Sequence, residues 1–211
     1  MNMEYEVRYY FPSEKKDEIV ENLRKLDSLR EKERCYEKTV QYDHPSKEMS
    51  FYTKEIDGRF RIRVTKSSTN EKCMISWKRR LPTTTKDKIN QEEEVELNIR
   101  YEEYENLLFL IEQVLKMRKV ESYERYRTNF QNEEIEVSVD EYPFGIALEI
   151  ENKSNSLLPQ ETVQKWVELL GLNLNDAYRL SWDDKYSELC QEQGVQQYHH
   201  VTFDLPMPKV K

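Results

Sequence analysis

The chain has few glycines, cysteines and histidines, and each shortage excludes a class of site. Only four of its 211 residues are glycine. None of them lies in a phosphate-cradling loop, so the P-loop and dinucleotide-binding fingerprints are absent. The three cysteines (Cys35, Cys73 and Cys190) and three histidines are too scattered for a disulfide framework or a zinc site. Any phosphate bound here must therefore be held by cationic side chains.

Long apolar runs and a positive net charge are also lacking. No segment approaches the roughly twenty apolar residues that span a bilayer, and the chain opens on a charged strand instead of a signal peptide. We therefore expect a soluble, cytoplasmic protein with no membrane partner. The net charge of −8 argues against sequence-independent binding of long nucleic acids, which needs a basic surface. Monomer and homodimer both remain open.

What the chain does contain is charge at every second residue of several short segments. Side chains alternate faces along a strand, so each segment would place charge on one face and apolar groups on the other. A single segment of this kind usually belongs to a sheet with one solvated face. The segments are 4–8 (EYEVR), 61–63 (RIR), 75–78 (ISWK), 91–97 (QEEEVEL), 125–127 (RYR) and 147–151 (ALEIE).

Taken together, the segments favour a charged interior over a solvated face. Two arginines on one strand face repel each other unless anions lie between them, and arginine suits bidentate phosphate binding. Such pairs occur at Arg61 with Arg63 and at Arg125 with Arg127. Amphipathic helices are also predicted, and they could cover the apolar faces. The charged faces would then point inward, which indicates an α+β fold built on a closed or nearly closed antiparallel barrel.

The predicted elements form one domain at 1–193, followed by a C-terminal tail at 194–211. Periodicity and turn residues predict strands at 4–11, 34–43, 49–54, 60–64, 73–78, 92–98, 119–130, 133–141 and 145–152. Helices are predicted from Ser13, at 102–116, from Pro159 to Gly171 and at 175–191. Asp57-Gly58 is predicted to be a hairpin turn. The stretch 79–90 is predicted to be a loop.

A charged lumen is costly unless its charges are paired or neutralised by a ligand. A polyanion bound together with divalent cations would supply charge of both signs. Carboxylates suit Mg²⁺ or Mn²⁺, which prefer hard oxygen ligands, and the basic side chains would hold phosphoryl oxygens. This combination is typical of phosphoryl or nucleotidyl transfer.

The ordered set of motifs resembles the CYTH superfamily, also called triphosphate tunnel metalloenzymes. That superfamily includes class IV adenylyl cyclases, thiamine triphosphatases, inorganic triphosphatases and fungal-type RNA triphosphatases. Each motif is weak alone, but the order is specific, and the matches cover residues 4–190. The opening Glu-x-Glu-x-Lys matches 4–8, the Arg-x-Arg strand 60–63, the lysine strand 75–78, the acidic strand 92–96, the second basic strand 124–127 and the closing acidic element 140–151.

The resemblance implies an eight-stranded antiparallel tunnel, with helices outside, that binds a triphosphate with Mg²⁺ or Mn²⁺. The implied metal ligands are Glu4, Glu6, Glu149 and Glu151, with Asp140, Glu94 and Glu96 in supporting or second-metal roles. The implied phosphate-binding residues are Arg8, Arg61, Arg63, Lys78, Arg125 and Arg127, with Lys185 as a further candidate; Glu4, Glu6 and Arg8 would be catalytic. Simpler alternatives are a turn cap for Asp140, a solvated position for Lys185 and an outward face for Glu92.

One departure from the family pattern bears on function. Arg8 stands where the family has lysine, and arginine cannot give up a proton at neutral pH. The leading hypothesis is a metal-dependent triphosphatase acting on an inorganic, nucleoside, thiamine or RNA 5′-triphosphate. The second is an adenylyl cyclase that forms cyclic AMP and pyrophosphate from ATP. The third is a non-catalytic triphosphate sensor, which only Arg8 supports.

Overall fold

The strands and helices come from a computed structural model that describes residues 2–82, 88–153 and 158–211. The strands are β1 (Asn2–Phe11), β2 (Arg30–Glu31), β3 (Cys35–Asp43), β4 (Gly58–Lys66), β5 (Glu71–Arg80), β6 (Asn90–Ile99), β7 (Arg118–Gln131), β8 (Ile135–Tyr142), β9 (Gly145–Asn152) and β10 (His200–Val201). The helices are α1 (Lys16–Arg24), α2 (Tyr104–Phe109), α3 (Pro159–Leu169) and α4 (Trp182–Gln193).

Eight of these strands close into a barrel. They pair in the order β7-β3-β4-β5-β6-β1-β9-β8, and β8 pairs again with β7. Every pairing in this ring is antiparallel. The short strands β2 and β10 add to β7 outside the ring. The eight-stranded antiparallel barrel with helices on the outside is therefore confirmed.

Helices cover the apolar outer faces of the strands, and this turns the alternate, polar residues into the lumen. Val163 and Trp166 of α3 pack with Val7, Val137 and Ile150 of the barrel in one buried cluster. Burying each such side chain contributes about 1.5–3 kcal/mol. A second cluster under α2 is centred on Tyr42, Ile62, Cys73 and Ile111. No helix in the described ranges is long and apolar enough to cross a membrane.

The predicted strand at 49–54 is wrong. Residues Lys47–Met49 form a short 3₁₀ turn and the chain then bends. The carboxylate of Asp43 accepts hydrogen bonds from the backbone N–H of Phe51 and the hydroxyl of Ser50, so the polar groups of this stretch are satisfied locally. Asp57-Gly58 therefore does not join two strands. Gly58 instead opens β4, where a Cβ would clash with the Trp77 ring.

Three other predicted elements differ from the structure. The last helix begins at Trp182, not at 175, because Ser181 and Asp184 form a capping box there. The predicted helix at 102–116 contains a π turn at Leu110–Val114. The extra residue of that turn rotates Leu115 outward, and its exposed fraction is 60%. Within the predicted loop 79–90, β5 continues to Arg80 and β6 starts at Asn90, while 83–87 lie outside the described residues.

The C-terminal tail lies against the barrel along part of its length. His200 and Val201 pair in parallel with Ser122 and Tyr123 of β7, and the Val201 side chain is fully buried. Further on, the backbone N–H of Val210 donates to the carbonyl of Phe144 at 2.8 Å. The tail therefore covers the outer side of β7 and the turn between β8 and β9.

Candidate functional site

A charged cavity of about 470 Å³ lies inside the barrel. Strand alternation delivers its lining side chains, and Ser181 and Trp182 at the start of α4 complete it at one end. The volume is in the range of small-molecule sites. Its charged lining residues are Glu4, Arg8, Glu37, Arg59, Arg61, Arg63, Lys72, Lys78, Arg80, Glu92, Glu94, Glu96, Arg125, Arg127, Glu136, Glu149, Glu151 and Lys153.

Most of the residues named from the sequence lie in this wall, and three do not. Glu6 and Asp140 are completely buried behind it, where they pair with cations that do line it. Lys185 on α4 is absent from the lining. Its Nζ lies 3.7 Å from the Glu188 carboxylate and 5.3 Å from the centre of the Tyr178 ring. The fold thus brings together the whole candidate set except Lys185.

Three carboxylates converge where β1 pairs with β9. Oxygens of Glu6, Glu149 and Glu151 lie within 4.8 Å of one another, because Glu6 is opposite Glu151 and Arg8 is opposite Glu149 in the antiparallel register. Burial raises the pKa of Glu6 and of Glu151. Carboxylate oxygens at this spacing are a donor set that fits Mg²⁺ or Mn²⁺.

Arg8 lies inside this acidic cluster. Its Nε and Nη2 donate to Glu149 at 3.0 and 2.6 Å, and Nη2 also donates to Glu6 at 3.1 Å. Burial opposes ionisation of Glu149, yet the guanidiniums of Arg8 and then Arg127 hold its pKa well below the usual value. Arg8 is therefore held by the carboxylates of this cluster.

Lys78 is the second cation on the acidic side. Its Nζ contacts carboxylates of Glu6 at 2.8 Å, Glu4 at 3.0 Å and Glu92 at 3.4 Å. Burial works against the charge of Lys78, but the surrounding carboxylates hold its pKa well above the usual value. Burial also raises the pKa of Glu4 to about 8. Glu4 is thus a group able to exchange a proton near neutral pH.

Two arginine pairs form the basic lining, and one of them reaches the acidic cluster, where Nη2 of Arg127 lies 3.6 Å from a Glu149 oxygen. On β7, Arg125 and Arg127 are held by Asp140 at 2.7 and 2.6 Å. On β4, Arg61 has one ion pair, a 3.5 Å contact with Glu94, and its Nε has no hydrogen-bond partner within the described ranges. The Nε of Arg63 is 3.3 Å from the Thr39 hydroxyl. The β4 pair therefore has donor capacity left for an anion.

Tyr123 lies between these arginines at the α4 end of the cavity. Its ring packs on Trp182 with centroids 4.5 Å apart. Burial alone would raise the pKa of the phenol, but Arg125, Arg63 and Arg61 outweigh burial and lower it to about 7. The arginines around Tyr123 therefore favour a negative charge between them.

Several wall residues were not among those named from the sequence. Glu92 faces inward, 5% exposed, so the alternative of an outward face is wrong. Arg59 and Arg80 continue the inward alternation of Arg61 and Lys78, and extending the period by one step would have found them. Arg59 also donates to the Ser181 hydroxyl at 2.9 Å, which ties α4 to the barrel. Further residues of this kind are Glu37, Lys72, Tyr123, Glu136 and Lys153.

Comparison with known proteins places the fold. No family model and no curated protein matches the chain. Among solved structures, the PH1819 protein of Pyrococcus horikoshii is 23% identical with a TM-score of 0.63, covering 90% of this chain and 99% of that one. A candidate adenylate cyclase of Vibrio parahaemolyticus is 14% identical with a TM-score of 0.64, covering 88% and 98%.

A third similar structure belongs to a protein with a described activity. It is HpAC1 of Hippeastrum, a candidate adenylyl cyclase with a dominant triphosphatase activity, and it is 15% identical with a TM-score of 0.56, covering 92% and 97%. At these identities the likenesses show the fold alone. That fold is the closed eight-stranded antiparallel barrel, the architecture that the sequence motifs predicted.

Proposed function

We propose that this protein hydrolyses a triphosphate-containing substrate inside the barrel with the help of a divalent cation. The observation that carries the proposal is an acidic side and a basic side around one cavity. Glu149 and Glu151 line the acidic side, and the buried Glu6 lies directly behind them, with oxygens of all three within 4.8 Å of one another. Arg61 and Arg63 face them with few anionic partners. A triphosphate with a bound metal ion is complementary to both sides at once.

The residues divide the work by their chemistry. Glu6, Glu149 and Glu151 would hold Mg²⁺ or Mn²⁺. The bound ion would neutralise phosphoryl oxygens of the substrate and help to orient its phosphate chain for in-line displacement. Arg61 and Arg63 would bind phosphoryl oxygens through their guanidinium forks. Glu4, with its pKa raised to about 8, has a pKa suited to general acid–base work near neutral pH.

An adenylyl cyclase is the second candidate, and one feature favours it. Trp182 and Tyr123 give the α4 end of the cavity an aromatic wall, and aromatic rings can stack on a nucleotide base. The fold is shared with a candidate adenylate cyclase. The dominant triphosphatase activity of HpAC1 supports hydrolysis over cyclisation as the first choice.

Product analysis tests the proposal. The protein is incubated with tripolyphosphate, ATP and thiamine triphosphate in Mg²⁺, in Mn²⁺ and in EDTA. Orthophosphate release that EDTA abolishes is the expected result, whereas cyclic AMP with pyrophosphate from ATP would make it a cyclase. Tight binding without any product would favour the sensor.

Two variants make the test specific to the site. Glu149→Gln removes one carboxylate of the cluster and should lower turnover at least a hundredfold, as expected for loss of a metal ligand and its charge. Glu93→Gln removes the same charge from β6, but Glu93 faces outward and pairs with Arg79 at 2.9 Å. That control should keep nearly full turnover. Equal activity in the two variants would refute the assignment of Glu149.

A further inference from the structure

Arg8 lies in the place where the proposed metal ion would bind. Of the three clustered carboxylates, two accept hydrogen bonds from its guanidinium: Glu149 at 2.6 and 3.0 Å, and Glu6 at 3.1 Å. Among the described residues, its remaining terminal nitrogen, Nη1, has one hydrogen bond, a 3.5 Å contact with the carbonyl of Leu180. The guanidinium is thus anchored almost entirely by the carboxylates that a metal ion would need.

We propose that Arg8 is a tethered internal cation that competes with the divalent metal for Glu6 and Glu149. The inference rests on the proposed function, because it assumes that the carboxylate cluster takes a metal ion. A guanidinium and a divalent cation on the same two carboxylates would repel each other at a few ångströms in a buried site. Metal binding therefore requires the Arg8 side chain to leave the cluster.

An arginine at position 8 competes with the metal ion for these carboxylates more strongly than a lysine at the same position would. The guanidinium is planar, always charged and able to bind a carboxylate through two donors, whereas an ammonium is a single point charge. Arg8 uses two nitrogens on Glu149 and reaches Glu6 with the same Nη2. It cannot escape by losing a proton. In the resemblance drawn from the sequence the corresponding residue is lysine, so this chain would hold its metal more weakly than a lysine variant of itself.

The displaced guanidinium would remain in the lumen. Arg8 already lines the cavity, so a rotated side chain could contact an anionic ligand there without crossing the wall. Arg8 would thus act as a positioning residue whose place depends on whether the cluster holds a metal ion. Its pairing with Glu6 and Glu149 also keeps those buried carboxylates compensated when no metal is bound, which a buried charge requires.

The test is to measure the affinity for Mn²⁺ in the absence of triphosphate, with electron paramagnetic resonance used to detect the free ion. Arg8→Gln should bind Mn²⁺ at least tenfold more tightly than the wild-type protein. Arg61→Gln is the matched control, because it removes the same charge from the same lumen but contacts neither Glu6 nor Glu149. That control should change the affinity less than threefold.

The other outcomes separate this inference from the proposed function. A tenfold rise in both variants would show general electrostatics and overturn the competition at Arg8. An unchanged or weaker affinity in Arg8→Gln would overturn it as well. Absence of Mn²⁺ binding from the wild type and all variants would overturn the inference and would also remove the metal from the proposed function. If Arg8→Gln does not fold, Arg8→Lys keeps the charge and should still bind Mn²⁺ several-fold more tightly than wild type; no increase would overturn the inference.

Discussion

The two arginine pairs of the lumen share one sequence pattern and have different surroundings. Arg125 and Arg127 on β7 are fastened by carboxylates: Asp140 contacts both at 2.7 and 2.6 Å, and Glu37 lies 2.6 Å from Arg125. Arg61 and Arg63 on β4 have no contact with a carboxylate shorter than 3.5 Å in the part of the chain that the structure describes. The first pair is neutralised by the protein, and the second is not.

Strand register explains the difference. In β7, Arg125 is opposite Glu37 of β3 and Arg127 is opposite Asp140 of β8. In β4, Arg61 is opposite Gln41 and Ser76, while Arg63 is opposite Thr39 and Met74, all uncharged. Cross-strand neighbours are the closest partners in a sheet. The β7 pair is therefore part of the framework, and the β4 pair is the one left for a ligand.

The largest expected effect follows from breaking the framework pair. Asp140→Asn removes the carboxylate between the buried guanidinium of Arg125 and the partly buried one of Arg127, and loss of one partner of a buried ion pair costs about 3–5 kcal/mol. Urea unfolding should show a loss of that order. Glu141→Gln is the control, because that carboxylate faces outward and pairs with the exposed Arg34, an interaction worth about 1 kcal/mol or less. If the two variants lost equal stability, Asp140 would not have the framework role.

The next effect separates the two pairs by function. Arg61→Ala should weaken tripolyphosphate binding about 10- to 100-fold, because a charged hydrogen bond contributes about 1.5–3 kcal/mol. Orthophosphate binding should change less, since a single phosphate engages fewer of the arginines. The urea midpoint should stay near the wild-type value. Arg125→Ala should lower both affinity and stability, since Asp140 and Glu37 would lose their buried partner.

Titration calorimetry and unfolding of the same samples decide the matter. A loss of stability in Arg61→Ala as large as in Arg125→Ala would show that both pairs belong to the framework. An equal loss of affinity for orthophosphate and tripolyphosphate would show that Arg61 does not meet the phosphate chain.

The sequence predicted the barrel because period-two alternation is a local property that survives folding. The doublets at 61–63 and 125–127 and the carboxylates at 149–151 all point inward as expected. What alternation cannot show is which strands become neighbours. Glu37 is far from Arg125 along the chain and Asp140 lies on the next strand, and the pairings of β7 with β3 and β8 place both beside the arginines.

The predicted strand at 49–54 and the predicted helix start at 175 were wrong because local pattern does not show which side chains bind the backbone. The residues 49–54 look like a strand, but the Asp43 carboxylate binds the backbone of this stretch and no partner strand is needed. Residues 175–181 look helical, but the helix starts where Ser181 can cap it. The position of Arg8 among the carboxylates could not be predicted either, because it depends on the register of β1 with β9.

A smaller effect concerns pH. The pKa of Tyr123 is lowered to about 7 by the arginines around it, so the folded protein carries a phenolate above that pH. A phenolate competes with a triphosphate for the basic wall, and affinity should therefore fall several-fold as pH rises from 7 to 8.5. Tyr123→Phe should lack this fall. Absorbance at 295 nm, which follows the phenolate, should move to higher pH when tripolyphosphate binds.

Ionisation of the substrate also changes its affinity with pH, since terminal phosphate groups titrate near pH 6. This contribution is the same for the wild type and for Tyr123→Phe, so the difference between their pH profiles is due to Tyr123. The pH dependence of the free energy of unfolding is a second check. Because the pKa of Tyr123 is lower in the folded protein than its usual value of 10, ionised Tyr123 stabilises the fold fully above pH 10. That stabilisation is lost as the pH falls through about 7. A pH profile identical in Tyr123→Phe would show that the β4 arginines, like those of β7, are already compensated.

The smallest effect is expected at Lys185. Its charge was a candidate for binding the triphosphate, yet the side chain lies on α4 beside Tyr178 and Glu188, outside the cavity lining. The interaction between a bound anion and a cation outside the lumen is screened by salt. Lys185→Ala should therefore change tripolyphosphate affinity less than twofold at 0.15 M salt. A tenfold loss would mean that α4 moves over the cavity when the ligand binds, and the basic wall would then include this helix.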